Sequence, residues 1–240
     1  MEIKSHIILG EYLLNNISYV SSSHRNMFIL GCITPDINMF TYLRGSFKYQ
    51  KLRGHNYSSS RNYIEKEFTK LRSRRNWNLT DSYRLGKVIH YLADSFTHPH
   101  NDSFKGTLAQ HRLYESQLHA YLKKYLEQYC ETDNSDCSAD VSAGIDELRK
   151  KYEKTQGEIP CDARSVTQAA SQIMMSMKSA CFGKGNLSSD TSSLSETAFP
   201  KLPAQYSSYS VSALRRRILS LKVFLHSGNS VQTSSPGKRT

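Results

Sequence analysis

Apolar residues recur at intervals of three and four along most of the first 180 positions, the period of an α-helix. No segment alternates as a half-buried strand would. Ile7, Ile8, Tyr12, Leu13 and Leu14 predict a first helix over residues 6–19. Tyr63, Ile64, Phe68 and Leu71 predict a second over 58–74. The clearest pattern starts with Asp81 as the capping residue. It runs through Tyr83, Leu85, Val88, Ile89, Leu92 and Phe96 until Pro99. Three more helices are expected over 108–129, 141–152 and 164–181. Residues 31–36 read as a loop, because Pro35 disfavours helical geometry at Thr34. The expected fold class is all-α, a helical bundle without internal repeats.

The helical pattern fades after residue 182, which sets the expected domain limits at 1–182. Residues 183–210 are rich in Ser, Gly and Pro and read as a linker. Residues 211–226 predict a short basic helix, and 227–240 a disordered tail. A hydrophobic content of 38% and a mean hydropathy of -0.56 agree with a chain only part of which builds a core.

Charge narrows the partners. With 32 Lys and Arg against 21 Asp and Glu, the net charge is +11. That favours an anionic partner, either a phospholipid head group, a membrane surface or nucleic acid. The clusters Arg72-Ser73-Arg74-Arg75 beside Trp77, and Arg215-Arg216-Arg217, suit an anionic membrane or a solvated bundle face equally. The five cysteines form no CxxC pair, so free thiols are expected. The start of the chain lacks a signal-peptide pattern, and no apolar run reaches the roughly 20 residues needed to span a bilayer. A cytoplasmic location follows as the expectation, with export by another route left open. The chain has neither a Gly-rich phosphate loop nor a GxSxG nucleophile motif, which argues against P-loop and serine-hydrolase chemistry.

Seven of the nine histidines occupy positions 6, 55, 90, 98, 100, 111 and 119. His90, Asp94 and His98 are spaced i, i+4, i+8, which on a continuous helix puts all three near one face. His111, Glu115 and His119 repeat the device. One such unit is ordinarily a surface pair. Two of them, the first flanked by Ile89, Leu92 and Phe96, would bring several imidazoles and carboxylates into a core, which is costly without a cation. Nitrogen and oxygen donors without cysteine suit zinc in an open, catalytic site.

His90-Tyr91-Leu92-Ala93-Asp94-Ser95-Phe96-Thr97-His98-Pro99-His100, followed by His111-Arg112-Leu113-Tyr114-Glu115, resembles the zinc-dependent phospholipase C family. Upstream, Gly31-Cys32-Ile33-Thr34-Pro35-Asp36-Ile37 is similar to that family's Gly-x-x-x-Pro-Asp segment, and His6 and His55 fall in its order. The likeness covers about residues 1–130. It implies an all-α bundle with two to three zinc ions. His55, His90 and Asp94 would hold one, with Asp36 alongside. His98 or His100, with His111 and Glu115, would hold a second, and His6 would contribute to a third, with Asp94 bridging. His98 keeps the helical i+4 spacing and is preferred; His100 keeps a longer spacing found in secreted members. Those members place a tryptophan where this chain has Met1, and His119 has no counterpart role. The implied activity is hydrolysis of the head-group phosphodiester of phospholipids, with Asp36 orienting the attacking water. Two alternatives remain: a zinc-dependent single-strand nuclease, and a non-catalytic, metal-stabilised protein that binds a membrane or a phosphorylated ligand.

Overall fold

The computed structural model describes residues 1–17, 20–37, 57–74, 76–128, 141–155 and 157–181. All lie within the first of two units of the chain, Met1–Ser188. The expectations for residues 183–240 fall outside the described residues. Seven α-helices and one short 3-10 turn are present there, with no strand among the described residues. The fold class is all-α, as the apolar spacing predicts. No described helix is long and apolar enough to cross a membrane.

In chain order the helices are α1 (Ile3–Asn15), α2 (Ser22–Ile37), α3 (Tyr57–Arg72) and α4 (Leu79–Ser95). The 3-10 turn (His98–His100) comes next, followed by α5 (Leu108–Gln128), α6 (Val141–Tyr152) and α7 (Ile159–Cys181). Helix α4 is the central element. It packs most extensively on α2, and also on α3, α7 and α1. Leu85, Val88, Ile89, Leu92 and Ala93 are all buried on it, so it is enclosed on nearly every side. Helix α5 packs on α1 and α7, and α6 on α7.

Four local expectations are corrected. Residues 31–36 are not a loop but the last turns of α2, with Pro35 inside the helix. Proline removes the N–H that would bond the Gly31 carbonyl and crowds that carbonyl with its ring. Burial of Phe28, Gly31, Cys32, Ile33 and Pro35 outweighs that loss, and Thr34 Oγ1 donates back to the Leu30 carbonyl at 2.6 Å. At the start of α4, Asn78 is the N-cap and Asp81 its third residue. Asp81 N–H donates to Asn78 Oδ1 at 3.0 Å and Asn78 N–H returns a bond to Asp81 Oδ2 at 3.3 Å, a reciprocal capping box.

The third correction concerns the end of α4, which stops at Ser95 rather than running to Pro99. The Thr97 hydroxyl donates to the Ala93 carbonyl at 2.9 Å, and the backbone turns extended at Thr97 (φ -120°, ψ 122°). Thr97 is the N-cap of the 3-10 turn that follows, in which Pro99 falls among the first residues, where its missing N–H costs little. His98 is therefore not one helical turn beyond Asp94. Helix α7 also starts five residues before the expected position, because Pro160 falls in its first turn, where a missing N–H costs little.

Two glycines set how closely α2 and α4 approach. A Cβ at Gly31 would lie 2.1 Å from the Tyr83 carbonyl oxygen, and one at Gly86 would lie 2.1 Å from that of Phe28. The two helices thus meet backbone to backbone, which brings the end of α2 against the middle of α4.

Candidate metal centre

Helices α1, α2 and α4 converge on a buried cluster of His6, Asp36, His90 and Asp94, whose donor atoms all lie within 4.8 Å of one another. His6 Nε2 is 3.2 Å from Asp94 Oδ1 and 3.7 Å from Asp36 Oδ2. His90 Nε2 is 3.3 Å from Asp94 Oδ2 and 3.7 Å from Asp36 Oδ1. The two imidazole rings stack with centroids 4.0 Å apart. His6, His90 and Asp94 are buried, while Asp36 keeps 14% of its side chain exposed.

His90 is held by its other nitrogen. Nδ1 lies 2.7 Å from the Cys32 carbonyl, which can only accept, so Nδ1 carries the hydrogen. In the neutral ring the Nε2 lone pair then points into the cluster, the arrangement in which a histidine binds a metal. Neither ring nitrogen of buried His6 makes a hydrogen bond of good geometry.

A second cluster joins His100, His111 and Glu115. Glu115 Oε1 lies 3.2 Å from His100 Nε2 and 3.0 Å from His111 Nε2. Asp94 stands between the two groups, with Oδ2 3.8 Å from His100 Nδ1. The Met1 α-amine also enters here, 2.5 Å from Asp94 Oδ1, 3.0 Å from His100 Nε2 and 3.2 Å from Glu115 Oε1.

The electrostatics describe a place built for positive charge. Burial opposes ionisation of Asp94, yet His100, the Met1 amine, His90 and His6 hold its carboxyl well below the usual range. Glu115 is likewise held low against its burial by the amine and by hydrogen bonds with His100 and His111. Burial, and then the neighbouring His90, push His6 down to about 3. Burial also opposes protonation of His90, but Asp94 and Asp36 outweigh it and raise its pKa. Burial and the adjacent His90 disfavour charge on His6, while the Asp94 and Asp36 carboxylates favour it on His90, so the two stacked rings are shifted in opposite directions.

These donors fit zinc. Buried imidazoles facing anionic carboxylates, with no thiolate among them, make a borderline nitrogen and oxygen set. Both ring nitrogens of buried His6 lack a hydrogen bond of good geometry, and a cation at Nε2 would give that one a partner. Of the other expected site residues, His55 lies outside the described residues. His98 joins neither cluster; its ring packs on Phe104 and Tyr114, at 5.3 and 5.9 Å between centroids. His119 lies 3.1 Å from Ser5 Oγ and 3.7 Å from Glu2, away from both groups. The Met1 amine carries no side-chain signature, and only the family resemblance, which sets Met1 against a tryptophan that ligates zinc through its amine, points to its place here.

No curated protein and no solved structure matches the chain significantly. A family model described as zinc dependent phospholipase C matches residues 5–165, two thirds of its length, and spans every donor of both clusters. The chain belongs to the zinc-dependent phospholipase C family.

Proposed function

We propose that the protein is a zinc-dependent phosphodiesterase that hydrolyses the head-group phosphodiester of phospholipids, releasing a phosphorylated head group and a diacylglycerol. The observation that carries this reading is Asp94, which reaches both donor clusters at once. His6, Asp36, His90 and Asp94 would hold one zinc ion, and His100, His111 and Glu115 a second beside it. His55 enters the ligand set through the family resemblance alone, as does the third ion to which that resemblance assigns His6. Bound zinc acidifies water and offsets the negative charge that grows on phosphoryl oxygens.

The side chains divide the remaining work. Asp36 is the most exposed member of the buried cluster, so it orients the attacking water at the solvent edge and accepts its proton. His90, tied to the Cys32 carbonyl, keeps a fixed tautomer throughout. The half-buried His100, His111 and Glu115 face the substrate side. The net charge of +11 favours approach to anionic lipid surfaces.

The test is an assay of zinc-loaded, full-length protein on short-chain phosphatidylcholine, phosphatidylethanolamine and phosphatidylinositol, and on a single-stranded oligonucleotide. The expected result is diacylglycerol release with little oligonucleotide cleavage. Oligonucleotide cleavage alone would replace this reading with a nuclease. No turnover by zinc-loaded protein across pH 5 to 9 would replace it with a metal-stabilised binding protein.

A further inference from the structure

Helices α6 and α7 contribute no donor to either cluster, yet each sends a charged side chain into the segment that delivers His100. Arg149 on α6 is 8% exposed. Its Nη1 donates to the Ser95 carbonyl, and its Nη2 to Asn101 Oδ1 at 2.6 Å. The guanidinium also lies over the rings of Phe96 and Tyr152, at 5.9 and 5.2 Å. From α7, fully buried Asp162 accepts the His98 N–H at 2.7 Å and the Tyr114 hydroxyl at 2.8 Å. Asn101 Nδ2 then donates to the Thr97 carbonyl at 2.8 Å.

Residues 95–101 are thereby gripped at both ends and in the middle. The segment needs it. Helix α4 has ended, Thr97 is extended, and a three-residue 3-10 turn has little stability of its own. His100 is nonetheless carried to 3.2 Å from Glu115. A metal ligand needs a defined direction, and neighbours that hydrogen-bond around it supply that direction.

We propose that Arg149 and Asp162 are positioning residues for the His100–His111–Glu115 metal subsite. They hold the turn in the conformation that presents His100, and so set the zinc affinity of that subsite without setting that of the His6–Asp36–His90–Asp94 group. This rests on the reading that both clusters hold zinc. A purely structural role would lower thermal stability and leave the two affinities in their wild-type ratio.

The experiment is chelator-competition titration of metal-free, full-length protein with zinc alone, well below its melting temperature. His111→Ala and His90→Ala assign each affinity class to its cluster. Arg149→Met and Asp162→Ala should weaken the His111-assigned class by about 10- to 100-fold and leave the other unchanged. Asp162→Asn keeps an acceptor for the His98 N–H and should restore most of the affinity. If Arg149→Met does not fold, Asn101→Ala removes one of its two anchors on the turn and should show the same selective loss. Folded variants with unchanged affinities, or with both classes weakened equally, overturn the positioning role while leaving the proposed function intact. Wild-type protein that takes up no zinc overturns both.

Discussion

His90 Nδ1 donates a 2.7 Å hydrogen bond to the carbonyl of Cys32, across the seam where α4 meets α2. The bond assigns the hydrogen to one nitrogen and leaves the other for coordination, before any metal arrives. Replacing His90 removes that bond together with a donor nitrogen of the cluster. His90→Ala should therefore lower the zinc content of dialysed protein by about one equivalent. Elemental analysis against wild type checks this, and an unchanged content would exclude His90 as a ligand.

Asp36 and His111 should fail in different ways. Asp36 borders the buried cluster with part of its carboxylate exposed, so Asp36→Asn should keep most of the metal and lower turnover by roughly two to four orders of magnitude. His111→Ala should lose metal and activity together, because His111 faces Glu115 directly at 3.0 Å. Metal content and kcat measured on the same preparations separate the two. Equal metal loss in both variants would remove Asp36 from its water-orienting role.

Acid should destabilise the metal-free protein, and the sign follows from the individual groups. His6 is pushed down to about 3 and His100 is also lowered, so below pH 6.5 the unfolded chain takes up protons that the folded one refuses. Their contribution to stability is lost as pH falls from 6.5 toward 3. His90 is raised, so as pH falls its contribution is gained above pH 6.5 and is constant below it, leaving that loss uncompensated. Glu115 and Asp94 are held low, so they add stability above their ordinary values of 4.5 and 3.8 and lose it only in stronger acid. The urea midpoint, measured with chelator present, should fall between pH 6.5 and 4. A flat or rising midpoint would contradict the assignment. Zinc affinity should drop as pH falls through the raised pKa of His90, because an imidazole must be neutral to bind.

Two glycine substitutions should give opposite results. At Gly86 a methyl group would press on the Phe28 carbonyl and the Cys32 amide, and backbone cannot move aside. Gly86→Ala should destabilise by about 1–3 kcal/mol through overpacking, despite the gain in helix propensity. At Gly10 the nearest atom is the far end of the Ile29 side chain, which can rotate away, so Gly10→Ala should be close to neutral. Denaturant unfolding of both variants decides the matter. A Gly86→Ala protein as stable as wild type would mean the helices do not touch as described.

Much of this architecture was legible where the cause is local. The limits 141–152 for α6 match the expectation, because one apolar stripe and a basic last turn mark its ends. The path of α2 was not legible, because the rule that proline breaks helices is local. Burial of Phe28 and Ile33 against a neighbouring helix is not. The periodicity of α4 ran on through Phe96, because Phe96 is a core residue even though it caps the helix rather than continuing it. That carried His98 into a register it does not have. The extended residue and 3-10 turn shift the phase, and the ring that meets Glu115 is that of His100. Arg149 and Asp162 gave no sign at all, since the groups they hold lie 48 to 64 positions away along the chain.

The donors are dispersed over five separate segments, from His6 in the first helix to Glu115 in the fifth. No short stretch of the chain assembles either cluster alone: even the compact group around Glu115 needs the turn after α4. During synthesis, the first cluster cannot close until Asp94 has emerged, nor the second until Glu115 has, and both wait for the bundle to collapse around α4. Choice of metal then falls to a finished cavity of set size and polarity rather than to a nascent peptide. Which ion enters is decided by the pool the folded molecule meets, and not by whatever first encounters its histidines at the ribosome.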